Sequence, residues 1–277
     1  MSSKIAVVTG ANKGIGFAIV RGLCKRFEGI VYLTSRNEKR GAEAVAALQK
    51  EGLNPNYHQL DITDPKSLTV FRDYVKTKYG NIDILVNNAA IAFKSNAPDP
   101  VAVQAEETLR VNYFSVVSTC EILFPLLRNG ARVVNISSSC GHLSCIPSEK
   151  LRQRFQDPNL SIPELSDLMR QYVEAAKQGT QAAAWGNSSY VVSKVGLTAL
   201  TKIQQRLLND KDIKVNAVHP GYVDTDMTSH KGPLSIDEGA QAPLFLALDA
   251  ADSVKGEYVW CDKRIVSWSG SKPTENY

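Results

Sequence analysis

Short apolar segments alternate with amphipathic segments along most of the chain. The apolar segments are rich in β-branched residues, which is typical of buried strands. They lie at residues 5–8, 29–34, 82–86, 132–136 and 213–218, with a short last one at 257–260, and a more polar segment at 56–60 is a further predicted strand. The segments between them have apolar residues at helical spacing. The pattern predicts an α/β fold with a doubly wound parallel sheet of about seven strands and helices on both faces.

Capping signals locate several of the predicted helices. Asp64 precedes Pro65 at the start of one helix, and Ser235 precedes another. Residues 101–127 form a long helical region with a soft break at Asn112. Asn112 is polar in an apolar stretch, so it either caps or kinks the helix or belongs to a site.

Residues 146–187 interrupt the alternation, because they contain no strand candidate. Ser161 and Glu164 have the spacing of a capping box at the start of a helix. The segment is too short to bury a core of its own, so we interpret it as a helical insertion within a single domain of residues 1–277. The polar tail at 269–277 is expected to be flexible.

Composition narrows the functional classes. The chain has 277 residues and a formal net charge of +4, which is too small to suggest nucleic-acid binding. No apolar run reaches the roughly 18 residues of a membrane span. Five cysteines without zinc spacing and the lack of a signal peptide predict a reduced, cytoplasmic protein with no metal.

A glycine-rich turn lies between the first strand and the first helix. Gly10, Gly14 and Gly16 are spaced as Gly-x-x-x-Gly-x-Gly. Glycines in this context let a pyrophosphate approach main-chain N–H groups at the start of a helix, although a plain tight turn has the same pattern. The second strand ends at Arg36 without a carboxylate. Arg36 and Lys13 could hold a 2′-phosphate, which favours NADP over NAD, or they could be solvated surface charges.

Polar residues follow the later strands. Asn87 and Asn88 end the fourth strand, and Ser138 follows the fifth. Each has a plain structural alternative, since asparagine caps turns and serine runs are common in loops. The loop at 222–235 is a candidate lid, because loops after strands carry function in this architecture.

Tyr190 and Lys194 are four positions apart on a predicted helix, which stacks their side chains on one face. A nearby ammonium favours a phenolate, so Lys194 is expected to lower the pKa of Tyr190. The pair would then give or take a proton near neutral pH. Alone, this spacing also occurs by chance.

Six motifs in order resemble the short-chain dehydrogenase/reductase family, over about residues 4–262. They are Thr9-Gly10-x-x-x-Gly14-x-Gly16, Asn87-Asn88-Ala89, Asn112, Ser138, Tyr190-x-x-x-Lys194 and Pro220-Gly221. The resemblance implies a Rossmann fold. Ser138 and Tyr190 are 52 positions apart. This gap is longer than in most members of the family, and in this respect the chain resembles the monomeric carbonyl reductases. In that group the inserted helices cover the tetramer surface, so the resemblance implies a monomer.

The resemblance also implies residue roles. Tyr190 would be the proton donor, Lys194 would hold the nicotinamide ribose, Ser138 would position the carbonyl oxygen, and Asn112 would support a water chain to Lys194. The implied NADPH-binding residues are Gly10, Asn12, Lys13, Gly14, Ile15, Gly16, Arg36, Asp61, Ile62, Asn88, Tyr190, Lys194, Val223, Asp224 and Thr225. Two positions depart from the family pattern. Ala90 stands where glycine is common, and Asp224 places a carboxylate beside the cofactor.

The expected activity is NADPH-dependent reduction of small-molecule aldehydes and ketones, with quinones as a further substrate class. The alternatives are an NADP-dependent alcohol or steroid dehydrogenase and a catalytically idle nucleotide-binding scaffold. The apolar and aromatic pocket candidates suit hydrophobic carbonyls, although each could equally serve packing. They are Ser138, Ser139, Cys140, Trp185, Tyr222 and Met227.

Overall fold

The computed structural model describes residues 3–94 and 96–275. Seven strands form one sheet in the order β3-β2-β1-β4-β5-β6-β7. The strands are β1 (Ile5–Val8), β2 (Ile30–Ser35), β3 (Asn56–Gln59), β4 (Ile82–Asn87), β5 (Leu127–Ile136), β6 (Lys214–Val218) and β7 (Tyr258–Val259). Every neighbouring pair in this order is parallel. The predicted doubly wound parallel sheet is therefore confirmed.

Helices cover both faces of the sheet. The helices are α1 (Gly14–Arg26), α2 (Glu38–Lys50), α3 (Pro65–Lys78), α4 (Val101–Leu109), α5 (Ser115–Leu123), α6 (Glu149–Phe155), α7 (Ile162–Lys177), α8 (Ala182–Trp185), α9 (Ser189–Leu208), α10 (Ile236–Gly239) and α11 (Gln241–Leu244). The helix predicted to begin after Ser235 is divided into α10, α11 and a π turn over Phe245–Asp249. Pro243 contributes to this irregularity, because it has no N–H group for the helical ladder.

Strand β1 shows how the sequence pattern builds the core. Its four residues are fully buried, since the sheet is covered on both faces. Ile5 and Val7 join the hydrophobic cluster on one face, and Ala6 and Val8 join the cluster on the other. This division follows from the two-residue period of a strand. A continuous apolar run is what a doubly covered parallel strand requires.

The sheet order reverses between β1 and β4, which are hydrogen-bonded neighbours. The connection after β1 leads to β2, toward one edge of the sheet, and the connection after β4 leads to β5, toward the other edge. A crevice therefore opens at the carboxyl ends of these two strands, which is where open α/β sheets bind ligands.

The soft break predicted at Asn112 is a π turn over Arg110–Phe114, between α4 and α5. Asn112 is buried, and its side-chain oxygen accepts a 2.8 Å hydrogen bond from the Ile91 N–H. Its amide nitrogen donates to the Ile91 carbonyl at 2.9 Å and to Ser193 Oγ at 3.1 Å. The asparagine thus joins the helix break, the loop after β4 and α9.

The predicted insertion contains α6, α7 and α8, and the capping box at the start of α7 is present. The apolar side of α7 is buried against α4 and α9, and it shares one hydrophobic cluster with them. The Tyr172 hydroxyl lies 2.9 Å from Ser189 Oγ, in the first turn of α9. The insertion therefore packs directly on the helix that carries Tyr190 and Lys194.

The tail, predicted to be flexible, approaches the loop after β5. Lys272 Nζ lies 3.9 Å from Cys145 Sγ, and Glu275 Oε1 lies 3.9 Å from His219 Nε2. The flexibility of the tail stays a prediction, and residues 276–277 lie outside the described part of the chain. Across the described residues, no helix is both long enough and apolar enough to cross a membrane.

Candidate active site

A cavity of about 630 Å³ opens at the carboxyl ends of the strands. It extends from the glycine-rich turn to the Tyr190 and Lys194 side chains. The predicted site residues that line it are Gly10, Asn12, Lys13, Gly14, Ile15, Gly16, Arg36, Asp61, Ile62, Asn88, Tyr190, Lys194, Asp224, Thr225 and Met227. Positions far apart in the sequence thus meet in one cavity. In the described ranges, no cluster of three or more His, Cys, Asp or Glu could hold a metal ion.

The glycine-rich turn has no room for side chains at two of its positions. A Cβ atom on Gly10, whose φ is +61°, would lie 2.7 Å from the Ala89 Cβ atom. A Cβ atom on Gly16 would lie 2.4 Å from Asn88 Nδ2. The turn therefore packs closely on the end of β4, with its backbone along the cavity. This arrangement fits a pyrophosphate at the start of α1.

Near the glycine-rich turn, the side chains of Asn88 and Asp61 form hydrogen bonds with other residues of the protein. Asn88 Nδ2 donates to the carbonyl oxygens of Thr9 and Gly10, at 2.9 and 3.0 Å. Asp61 Oδ1 accepts hydrogen bonds from the N–H and the hydroxyl of Thr63. Both residues line the cavity, and their side chains also hold its walls in shape. Contact of either one with a cofactor stays a prediction.

The exposed end of the cavity is basic. Lys13, Arg36 and Arg40 all line it. Sequence reasoning missed Arg40, which lies in the first turn of α2, four positions after Arg36. Three cations around one opening suit a phosphate group. The fit of this end to a 2′-phosphate is therefore good.

The loop predicted as a lid is held across this basic end. Asp226 Oδ2 lies 2.6 Å from Lys13 Nζ, and His230 Nδ1 lies 2.6 Å from Asp224 Oδ1. Lys94 Nζ bonds to the Asp226 carbonyl and, at 2.8 Å, to Ser229 Oγ. The Asp224 carboxylate, which the family pattern places beside the cofactor, is thus next to a histidine. Asp226 and Lys94 carried no motif that would have identified them.

Tyr190 and Lys194 lie on one face of α9 as their spacing predicts. Ser188 caps this helix by accepting a hydrogen bond from the Val191 N–H. Lys194 Nζ is 5.6 Å from the centroid of the Tyr190 ring and donates a 2.7 Å hydrogen bond to the Ile136 carbonyl. Because Ile136 ends β5, this bond ties the lysine to the sheet.

Burial determines the protonation of this pair. It raises the pKa of the Tyr190 phenol above its usual value, and a hydrogen bond with Ser138 opposes that shift. Burial also lowers the pKa of Lys194 to about 8. The expected lowering of the Tyr190 pKa is therefore wrong for this structure, because burial, the largest cause of the shift, disfavours the phenolate.

Ser138 lies directly after β5, where a turn of 3₁₀-helix (Ser139–Gly141) begins. Its hydroxyl accepts a 3.2 Å hydrogen bond from the Cys140 N–H. The Ser138 hydroxyl is also within hydrogen-bonding reach of the Tyr190 phenol, where the bond works against the raised Tyr190 pKa. Two hydroxyls thus lie side by side; Tyr190 lines the cavity, and Ser138 is not among the residues that line it.

The structure separates the other pocket candidates. Tyr222 and Met227 are partly exposed on the loop after β6, and Ser139 and Cys140 follow Ser138. Trp185 is elsewhere, because its ring packs against Phe155 and Tyr172 inside the insertion. Its apolar character reflects this packing, and it does not line the cavity. Val223 is also buried.

Comparisons with known proteins agree with the fold and the motifs. A model of the short chain dehydrogenase family matches residues 4–147 and 175–233, so the unmatched stretch between them falls within the insertion. Carbonyl reductase (NADPH) 1 of Rattus norvegicus is 46% identical over 274 residues, covering 95% of this chain and 98% of the relative. Carbonyl reductase (NADPH) 3 of Homo sapiens is 44% identical over 278 residues, covering 96% and 99%.

Solved structures give the same result. Salutaridine reductase from Papaver somniferum has a TM-score of 0.84 and 31% identity, covering 92% of this chain and 99% of that one. A short chain dehydrogenase from Burkholderia cenocepacia in complex with NADP has a TM-score of 0.68 and 25% identity, covering 94% and 95%. Because the family model matches most of the residues of this chain, the chain belongs to the short-chain dehydrogenase/reductase family.

Proposed function

We propose that this protein is an NADPH-dependent reductase of small-molecule carbonyl compounds, and that aldehydes, ketones and quinones are its substrate classes. One observation carries the proposal. The Tyr190 phenol lines the inner end of a cavity whose outer end is lined by Lys13, Arg36 and Arg40, and the Ser138 hydroxyl lies within hydrogen-bonding reach of that phenol. The relatives that are named NADPH carbonyl reductases support the same activity.

The residues of the cavity fit NADPH. The glycine-rich turn would hold the pyrophosphate, and Lys13, Arg36 and Arg40 would hold the 2′-phosphate. Thr225 lines the cavity and would close over the nicotinamide end, as its position in the family pattern implies. NADPH, when bound, supplies the hydride that the carbonyl carbon receives. All other chemistry belongs to this chain's side chains.

Tyr190 donates a proton to the carbonyl oxygen as negative charge develops on it. Its raised pKa keeps the phenol protonated at neutral pH, which is the form that a proton donor needs. The Ser138 hydroxyl donates a second hydrogen bond to the same oxygen and stabilises the oxyanion. Asn112 holds α9 to the loop after β4, and we assign it the support of a water chain to Lys194.

The protonated phenol favours reduction over the opposite direction. Oxidation of an alcohol needs a phenolate at Tyr190 to take the hydroxyl proton, and burial disfavours that form. An alcohol or steroid dehydrogenase is therefore the second candidate. Its support is that the same residues serve both carbonyl reduction and alcohol oxidation. An idle scaffold is third, because all four catalytic positions hold competent side chains.

The proposal is tested by following NADPH absorbance with purified protein. The panel contains an aromatic aldehyde, an aromatic ketone and an ortho-quinone, and the matching alcohols are assayed with NADP⁺. We expect NADPH consumption with the carbonyls and slower turnover of the alcohols at neutral pH. Faster turnover of the alcohols would favour the dehydrogenase, and turnover of neither set would support a scaffold.

The substrate end of the cavity suits hydrophobic carbonyls. Met227 lines the cavity, Tyr222 is on the same loop, and Ser139 and Cys140 follow the catalytic serine. Apolar and aromatic side chains of this kind bind uncharged rings and chains by excluding water. We therefore infer that aromatic carbonyls are reduced faster than small hydrophilic ones.

Lys194 gives the reaction a pH dependence. Its pKa of about 8 means that the ammonium is charged below that pH and loses its proton above it. A neutral amine holds ribose hydroxyls less strongly and cannot replenish the Tyr190 proton. We expect kcat/KM for ketone reduction to be level near neutral pH and to fall as pH rises through about 8.

The variant Lys194→Arg checks this assignment, because a guanidinium keeps its charge over the same range. It should reduce ketones more slowly and show no decline near pH 8. If the decline persists at the same pH in the variant, another group causes it.

The quaternary state and location are further proposals. We propose a monomer, because α7 and α6 cover α4 and α9, the faces on which other members of the family are expected to pack. We also propose a cytoplasmic location, which agrees with five free cysteines. Sedimentation equilibrium that gave a multiple of 30.3 kDa would contradict the monomer.

A further inference from the structure

The loop that carries the catalytic serine depends on contacts from the C-terminal part of the chain. Residues 138–145 form two consecutive turns of 3₁₀-helix, Ser139–Gly141 and Leu143–Cys145. Such short turns have few hydrogen bonds of their own, so they need partners to hold one conformation. The Ser138 carbonyl already accepts a hydrogen bond from the Gly141 N–H at 2.8 Å.

The partner is a segment that we call the C-terminal hairpin, residues 258–268. It begins in β7 and turns back on itself, with an antiparallel bridge between Val259 and Ile265. Backbone hydrogen bonds join Trp260 to Arg264 and Val266 to Tyr258. The hairpin lies beyond residue 233, where the match to the family model ends.

Two side chains of this hairpin donate to the serine loop. The Tyr258 hydroxyl donates to the carbonyl oxygen of Ser138, and Trp268 Nε1 donates to the Gly141 carbonyl at 2.7 Å. Both side chains are buried. The Tyr258 pKa is raised by burial, so its hydroxyl stays a donor.

Backbone contacts complete the support. The Leu143 N–H donates to the Trp268 carbonyl at 3.1 Å, and the His142 ring lies 3.1 Å from the Ser267 carbonyl through Nε2. The His142 side chain is fully buried and packs near the Tyr258 ring. The C-terminal hairpin therefore contacts the serine loop at four residues between Ser138 and Leu143.

We infer that Tyr258 is a positioning residue for the reaction, acting through the Ser138 backbone. The inference rests on the proposed function, in which the Ser138 hydroxyl donates to the carbonyl oxygen. Rotation of the Ser138–Ser139 peptide would change the backbone angles beside the Ser138 side chain, which would disturb the hydrogen bond from the Cys140 N–H to Ser138 Oγ and turn the hydroxyl from the site. Tyr258 opposes that rotation, because together with the Gly141 N–H it holds the oxygen of this peptide. It touches neither the substrate nor the reacting atoms.

The test is a double-mutant cycle of Tyr258→Phe with Ser138→Ala. We expect Tyr258→Phe to lower kcat for ketone reduction about fivefold, the scale of one neutral hydrogen bond, with NADPH affinity unchanged. In the Ser138→Ala background the same change should have no further effect, because Tyr258 acts through the serine hydroxyl. Independent, multiplicative losses would overturn the inference.

Tyr32→Phe is the matched control. Tyr32 is also fully buried, and its hydroxyl bonds to Tyr74 and Tyr79 at the opposite side of the sheet. The Tyr32→Phe variant should lose about as much stability as Tyr258→Phe and keep the kcat of the wild type. Equal kcat values in the Tyr258 and Tyr32 variants would also overturn the inference.

Hydrogen exchange gives a readout that does not need turnover. Amide exchange in a peptide spanning residues 137–146 should be faster in Tyr258→Phe than in the wild type, and unchanged in Tyr32→Phe. If the wild type reduced no carbonyl, the proposed function would fail, and this exchange would still decide whether Tyr258 holds the loop. Unchanged exchange in Tyr258→Phe would overturn the inference.

Discussion

Tyr190→Phe is expected to lower kcat for carbonyl reduction by about a thousandfold, within the usual contribution of a general acid. The substitution removes only the hydroxyl that gives the proton, and the partly buried ring and its contact with Lys194 remain. NADPH affinity should change little, because the basic end of the cavity is far from the phenol along the cleft. Turnover and NADPH binding are measured separately, by steady-state kinetics and by quenching of protein fluorescence.

Tyr113→Phe is the control for loss of a buried hydroxyl. The Tyr113 hydroxyl lies 3.1 Å from Ser166 Oγ, between the π turn and the insertion. This control should keep most of its activity, since its hydroxyl has no contact with the cavity. Near-wild-type kcat in Tyr190→Phe would rule out Tyr190 as the proton donor. Equal losses in both variants would mean that the effect is structural.

Most strands followed from the sequence because their apolar runs are buried on both faces of the sheet, whereas β3 is polar and partly exposed. β1 and the core of β5 were predicted at the right places for that reason. The beginning of β5 was not, because Arg128 and Asn129 are polar and give no strand signal. The predicted break at Asn112 was right in position, but only the structure identifies it as a π turn.

Site residues could be predicted where their spacing in the sequence determines their relative positions on one helix. Tyr190 and Lys194 are a helical turn apart, so their common face needed no structure. The direction of the Tyr190 pKa was not predictable, because it depends on how deeply α9 is buried. Trp185 failed as a pocket residue for a similar reason: an aromatic side chain looks the same in a sequence whether it lines a cavity or fills a core.

Contacts between distant segments gave no sequence signal at all. The pair between Lys13 and Asp226 joins the first βα turn to the loop after β6. Tyr258 reaches Ser138 across 120 positions. Both contacts depend on the sheet, in which neighbouring strands are parallel, so the loops that follow different strands lie along the same end of the sheet. Motif spacing reports local geometry only, so such pairs emerge from the fold.

Arg36→Asp is expected to reverse the choice of cofactor. Arg36 follows β2 at the outer end of the cavity, where the 2′-phosphate of NADPH would lie. Loss of one charge-assisted hydrogen bond, with repulsion added by the new carboxylate, should weaken NADPH binding by about a hundredfold. The same carboxylate can accept hydrogen bonds from the ribose hydroxyls of NADH, so NADH binding should improve.

The measurement is the ratio of the NADPH and NADH dissociation constants, obtained by fluorescence titration at low ionic strength. Arg72→Asp is the control, because it makes the same charge change on α3, outside the cavity. A general field effect would change the ratio equally in both variants, whereas a phosphate contact changes it only in Arg36→Asp. Since Lys13 is already paired with Asp226, Arg36 should contribute more to phosphate binding than Lys13 does. A ratio that matched the wild type in Arg36→Asp would show that Arg36 does not bind the phosphate and that Lys13 and Arg40 suffice.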